Sequence, residues 1–159
     1  MSQSHPTIGH VHLKVADLDR AIAFYRDVLG FELTQKYGTQ AAFLAAGGYH
    51  HQIGLNTWHS KGGTPPAESH TGLYHAAFLY PGRKSLGAVI KRVFEAGYTL
   101  DGAADHGVSE AVYLRDPDGN GVELYRDRAP DDWPRDDTGT LAMVNDPLDV
   151  DALVAEAEG

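Results

Sequence analysis

Cysteine is absent from the 159 residues, so disulfides and thiolate metal sites are both excluded. A metal held by this chain would have to sit on imidazole and carboxylate groups, and the lack of thiols suits a reducing, cytoplasmic setting. Long apolar runs are also missing. Nothing approaches the roughly 20 residues needed to span a bilayer, and Met1–Pro6 has neither the basic start nor the apolar stretch of a signal peptide. Positive charge is scarce: 13 Lys and Arg face 22 Asp and Glu, for a net charge of −9. That balance lacks the basic footprint of a nucleic-acid binder. Hydrophobic residues make up 42% of the chain, enough for a core, and charged residues make up 22%.

The charge is unevenly spread. Residues 127–159 carry ten acids and two bases, whereas residues 1–126 carry twelve acids and eleven bases. A nearly neutral body therefore precedes an acidic extension, whose simplest reading is a solvated segment that aids solubility.

Periodicity divides the body into two similar halves. Ile8–Val15 alternates as a strand does, with Val11, Leu13 and Val15 on one face and His10, His12 and Lys14 on the other. Asp17 and Asp19 are N-cap candidates, Leu18, Ile22, Tyr25 and Leu29 follow at helical spacing, and Gly30 suits the position after a helix end. Phe31–Tyr37, Gln40–Ala45 and Tyr49–Thr57 then read as strands. After a Gly- and Pro-rich connector at 58–71 the order repeats. Leu73–Leu79 is a strand, Leu86, Val89, Ile90 and Val93 mark a helix ending at Gly97, and Tyr98–Leu100, Glu110–Arg115 and Gly121–Arg126 are three strands.

This repetition predicts an α+β fold of two paired βαβββ modules, at about 7–57 and 72–126. They would form one domain over 1–126, with a curved mixed sheet around a central metal cavity. Residues 127–159 would be an extension, looped over 129–145, with a short helix over Asp149–Glu158 that docks on the body or on a second subunit.

Nine histidines are many for this length, and their placement suggests chemistry. His10 and His75 occupy matching first strands, so duplication predicts that they face one another. Glu123 lies on the last strand between Val122 and Leu124, where a carboxylate is costly unless paired or metal-bound. Two imidazoles and a carboxylate make the facial triad of non-haem Fe(II) oxygenases, with several coordination positions left open. The alternative is separate histidines in ordinary hydrogen bonds and a glutamate in an ion pair. Asp116-Pro-Asp118-Gly-Asn120-Gly121 formally matches the start of a calcium loop, but its flanks read as strands and Pro117 suits a tight hairpin turn.

Four segments carry a resemblance: His10-Val-His-Leu-Lys-Val-Ala-Asp-Leu18, Phe24-Tyr-Arg-Asp-Val-Leu-Gly-Phe31, Leu73-Tyr-His-Ala-Ala-Phe78 and Tyr113-Leu-Arg-Asp-Pro-Asp-Gly-Asn-Gly-Val-Glu123. On them the chain resembles the vicinal oxygen chelate superfamily of glyoxalases, bleomycin-resistance proteins and extradiol dioxygenases. The expected place of a second glyoxalase glutamate falls near Gly54, and the surrounding stretch holds no acid. No cluster of bases follows Glu123 as a fosfomycin-type transferase would need, and a bleomycin-sequestering protein would lack the ligands.

Similarity is greatest to one-domain catechol 2,3-dioxygenase-like extradiol enzymes. That resemblance implies Fe(II), with Mn(II) as an alternative, on His10, His75 and Glu123. It also implies His106 as the base that helps a catechol bind as its monoanion, His51 steadying the activated oxygen, and Tyr113 hydrogen-bonding the substrate oxygen. A catechol's two adjacent oxygens and O₂ would fill the open positions. His12 and Tyr125 would line the substrate pocket. A small aromatic diol and O₂ are the expected partners, with no nucleic acid or membrane and a homo-oligomeric assembly. A glyoxalase-like isomerase, a transferase or a small-molecule-binding protein of the same fold is the alternative.

Overall fold

The computed structural model describes residues 4–158; residues 1–3 and 159, at the outer ends of the expected spans 1–126 and 127–159, lie outside them. The chain forms two compact units, residues 1–66 and 67–159, and the division between them falls inside the Gly- and Pro-rich connector.

The first unit runs β1 (Val11–Lys14), α1 (Leu18–Ile22), β2 (Glu32–Tyr37), β3 (Ala41–Ala45) and β4 (Ile53–Asn56). Asp17 caps α1 by accepting from the Arg20 N–H at 3.0 Å. The helix then widens into π-type turns over Ala23–Val28, with Leu29 N donating to Phe24 O. Regular 3.6-residue spacing turns Leu18, Ala21, Ile22, Tyr25, Val28 and Leu29 inward and sets Phe24 at the margin of that face. The wider turn also buries Phe24, which stacks edge-to-face on Tyr25. These side chains cover one face of a sheet ordered β1-β4-β3-β2, in which β1 and β4 are parallel and the other pairs antiparallel.

The second unit repeats the plan with β5 (Ala76–Leu79), α2 (Arg83–Glu95), β6 (Gly102–Asp105), β7 (Ser109–Arg115) and β8 (Gly121–Asp127). Its sheet is ordered β5-β8-β7-β6, again with a parallel first pair. The fold is therefore α+β, hydrogen-bonded as two four-stranded mixed sheets with identical connectivity. Leu86, Val89, Ile90 and Val93 of α2 are fully buried, and Gly97, at φ +86°, ends the helix as the sequence predicts. The extension is loop with a single 3₁₀ turn at Pro130–Asp132 before α3 (Val150–Glu156). Helix α3 packs on α2 within its own unit, with Leu153 fully buried. Among the described residues no helix is long and apolar enough to cross a membrane.

Strand bounds differ from the sequence reading in ways that bear on the site. β1 begins at Val11 and β4 at Ile53, so His10, His50 and His51 precede their strands and are not on them. The cause is a loop zipped by one side chain. The Gln52 side-chain amide accepts from Ala46 N at 2.7 Å and donates to Ala46 O, closing residues 46–51 into a loop outside the ladder, while the Gln52 backbone already bonds Leu44 and Val11. β5 starts at Ala76, opposite Val122 of β8, so His75 also precedes its strand. The strand expected at 98–100 is replaced by β6 at 102–105. Tyr98 is still bonded back to Val93 O, and β7 first pairs with Gly102. The Asp116–Asn120 segment is the hairpin turn expected between β7 and β8, with the Asp116 carboxylate accepting from the N–H groups of Asp118 and Asn120.

Candidate active site

The second unit gathers four of the predicted residues. His75, at the entry to β5, places Nε2 2.9 Å from Oε2 of Glu123 on β8. Alternation along β8 buries Val122 and Leu124 on the helix side and leaves Glu123 on the other face. Tyr113 on β7 is the cross-strand partner of Glu123, and its hydroxyl lies 3.4 Å from Glu123 Oε1. The same hydroxyl is 2.7 Å from Nε2 of His106, in the turn between β6 and β7. The result is a continuous series, His75–Glu123–Tyr113–His106.

Gly121 makes the entry of His75 possible. A Cβ there would lie 2.1 Å from Tyr74 O and 3.0 Å from His75 Cβ, so the backbones approach closely only because residue 121 is glycine.

Burial, reinforced by the Glu123 carboxylate, pushes Tyr113 up to about 12. Tyr113 therefore keeps its proton near neutrality and acts as a donor. With one hydroxyl proton and two acceptors, it donates to only one at a time, and His106 is nearer.

His75, Tyr113 and His106 border a cavity of about 430 Å³ in the second unit, whose walls also include Asp101, Arg115 and Asn145. That volume suits a small organic ligand. Asp101, Arg115 and Asn145 were not anticipated. Arg115 was findable, since it lies two residues after Tyr113 on one strand and so shares its face. Asn145 gave no periodic signal, because it sits in the loop after β8. Tyr125 lies two residues beyond Glu123 on β8, yet it is not among the residues bordering this cavity.

The first unit gathers a group of imidazoles. The rings of His10 and His51 are 4.6 Å apart, and His51 also lies 5.0 Å from Phe43. His50 and His51 share a hydrogen bond between their Nδ1 atoms at 2.7 Å, so one donates and the other accepts. Burial and the neighbouring His10, His50 and His12 hold His51 below the usual imidazole range. His12 is lowered as well, by burial first and His10 second, and its Nε2 accepts from the Asn56 amide at 3.0 Å. The His12 ring lies across Gly54, its partner in the β1–β4 ladder. A Cβ at 54 would fall 2.7 Å from His12 Nδ1. The place where a second glyoxalase glutamate would be expected is thus filled by His12.

Among the described residues, no three His, Asp or Glu side chains are gathered so that they could hold a metal by themselves. The His75–Glu123 pair nevertheless fits a hard divalent cation. Two cis ligands at about 2.1 Å from an octahedral ion lie about 3.0 Å apart, close to the 2.9 Å separation found.

Comparison with known proteins agrees with the architecture. The chain is 40% identical over 150 residues to the catechol-2,3-dioxygenase of Bacillus subtilis, covering 94% of this chain and 52% of that protein. It is 33% identical over 126 residues to the biphenyl-2,3-diol 1,2-dioxygenase 3 of Rhodococcus globerulus, covering 77% of this chain and 64% of that one. The chain thus spans about half to two thirds of the length of these relatives. The crystal structure of lactoylglutathione lyase from Agrobacterium tumefaciens superposes with a TM-score of 0.59 at 25% identity, over 78% of this chain and 96% of that one. The relatives therefore include both dioxygenases and a lyase. Residues 7–124 match the family model itself, and the chain belongs to the Glyoxalase/Bleomycin resistance protein/Dioxygenase superfamily.

Proposed function

We propose that the protein is an extradiol ring-cleaving dioxygenase that acts on a catechol-like aromatic with O₂ and Fe(II). The observation that carries this reading is the series His75–Glu123–Tyr113–His106, three of whose members, His75, Tyr113 and His106, border one cavity in the second unit. It joins a metal-ligating pair to a proton-relaying pair, and a diol substrate needs both. The 40% identity to a catechol-2,3-dioxygenase supports the same assignment.

His10, His75 and Glu123 are the proposed protein ligands. The iron, when bound, supplies the Lewis acid on which the diol oxygens and O₂ come together. The chain's own groups handle the protons. His106 Nε2 takes the proton of one substrate hydroxyl so that the diol binds as its monoanion. Tyr113 stays protonated and donates a hydrogen bond to the substrate oxygen. His51, held neutral by its surroundings, offers an imidazole to the oxygen side of the reaction. The overall reaction breaks the ring C–C bond next to the diol and places both oxygen atoms in the product. The Gly54–His12 contact weighs against the alternative of a four-ligand glyoxalase.

The test is to load the purified protein with Fe(II) without air, then add catechols in oxygenated buffer. Oxygen uptake and the yellow ring-fission product are followed together. Matched uptake and colour, lost in His75→Ala, are expected. Iron binding without either would overturn the dioxygenase reading and move the assignment to a non-oxidative reaction of the superfamily.

A further inference from the structure

Residues beyond β8 contribute none of the proposed ligands, acids or bases, yet they are bonded directly to the turn that carries His106. Asp105 and Asp146 exchange two backbone hydrogen bonds, at 2.9 and 2.8 Å. Val144 N donates to His106 O at 3.0 Å, and the Val144 carbonyl oxygen lies 3.1 Å from His106 Nδ1. Gly107, at φ +78°, is pressed under the same segment, since a Cβ there would lie 2.6 Å from Pro134 Cγ and 3.2 Å from Val144 Cγ2. On the other side, Arg128 holds the Asp105 carboxylate with two hydrogen bonds. The next residue along, Asn145, reaches the cavity wall.

A carbonyl oxygen can only accept a hydrogen bond. The contact therefore requires the His106 proton to be on Nδ1. In the neutral ring the lone pair is then on Nε2, the atom 2.7 Å from the Tyr113 hydroxyl. Free histidine in water favours the opposite tautomer, which would place a proton between Nε2 and Tyr113. We propose that the Val144 carbonyl is a positioning group of the site, fixing His106 as the Nδ1–H tautomer with its Nε2 lone pair toward Tyr113. The extension then acts as a brace for His106 and is more than a solubilising tail. The catalytic consequence rests on His106 being the base of the proposed reaction, but the tautomer itself does not depend on that reading.

Nitrogen-15 spectra of histidine side chains report the tautomer directly. The full-length protein is measured in mildly alkaline buffer, at about pH 8, above the ordinary imidazole range. Wild type is expected to show His106 protonated on Nδ1. Val144→Ala, which keeps both backbone groups, is expected to show the same. Val144→Pro removes the N–H that anchors this strand of the extension to His106. It is expected to release a mixture of tautomers and lower kcat on a catechol by about tenfold, with KM within about twofold. A wild-type His106 protonated on Nε2 would overturn the proposal even if the proline variant failed to fold. So would a folded Val144→Pro that keeps pure Nδ1–H. The predicted tautomers in a protein that cleaves no catechol would sustain the brace and defeat the dioxygenase reading. An active dioxygenase with the Nε2–H tautomer would do the reverse.

Discussion

Replacing Gly87 by alanine separates two physical effects of opposite sign. Gly87 lies inside α2, where alanine is normally favoured by up to about 1 kcal/mol. Here, however, a Cβ would sit 2.0 Å from the Leu153 carbonyl oxygen of α3 and 2.8 Å from its carbon. Ordinary contact begins near 3.4 Å, so α3 must retreat by roughly 1.4 Å, and a gap of that size forfeits half or more of the dispersion across it. Leu153 is fully buried, and its burial is worth roughly 2–3 kcal/mol. Losing most of that outweighs the gain in helix propensity and leaves a net destabilisation of about 1–2 kcal/mol. The exposed pairs Arg83–Glu156 and Lys91–Glu158 loosen too, but solvent screens them and they do not change the sign. Chemical denaturation of the full chain should show this loss. In a chain ending at Pro147 the clash is absent, and the same substitution should stabilise by roughly 0.5–1 kcal/mol. A full-length Gly87→Ala more stable than its parent would refute the α2–α3 packing argument.

Other expectations can be checked separately. Arg128 holds the Asp105 carboxyl down to about 2, so this contact contributes stability above pH 4 that fades as pH falls toward 2. The wild-type advantage over Asp105→Asn in urea melts, about 1–2 kcal/mol near neutrality after allowing for partial solvent screening, should therefore shrink across that window, and a constant gap would count against the ion pair. Gly121→Ala should push the Tyr74–His75 backbone aside and weaken Mn(II) binding about 10- to 100-fold, measured by titration of the metal-free protein; unchanged affinity would remove His75 from the ligand set. Tyr113→Phe should retain bound iron and lose about a hundredfold in turnover, and full turnover would exclude Tyr113 as the donor to substrate.

The duplicated plan was legible because it depends on patterns that sequence carries directly: alternation along β8, helical spacing in α2, and glycines where helices end. The π-widening after α1 was not, since it depends on fitting both Phe24 and Tyr25 under a sheet. The starts of β1, β4 and β5 were misjudged by three or four residues for a related reason. A strand begins where its partner does, and the Gln52–Ala46 zipper that delays β4 is a tertiary detail. At the site, the cross-strand pairing of Tyr113 with Glu123 follows from their ten-residue spacing around one hairpin. The reach of the extension back to His106 had no local signature, because it consists of backbone hydrogen bonds from a loop containing prolines.

The two units share a topology but differ in how they handle charge, and that difference constrains any chemistry they perform. In the first unit His10, His12, His50 and His51 lie close together without a carboxylate among them, and burial, reinforced by the neighbouring imidazoles, holds His12 and His51 below the usual imidazole range. A ring that stays neutral keeps one nitrogen lone pair, which ligation or a hydrogen bond accepted from a donor requires. In the second unit His75 and His106 are each coupled to a group that fixes a proton: His75 to Glu123, and His106 to Val144 and Tyr113. The carboxylates most deeply engaged elsewhere, Glu110 and Asp105, are paired with arginines, which leaves Glu123 as the acid facing histidine. Burial opposes the ionisation of Glu110, but Arg83 and Arg126 outweigh it and hold the carboxyl below its usual range. Starting from one duplicated scaffold, the sequence has set clustered imidazoles in one unit and imidazoles bonded to proton-fixing partners in the other. A reaction that binds an acidic diol and activates oxygen needs both.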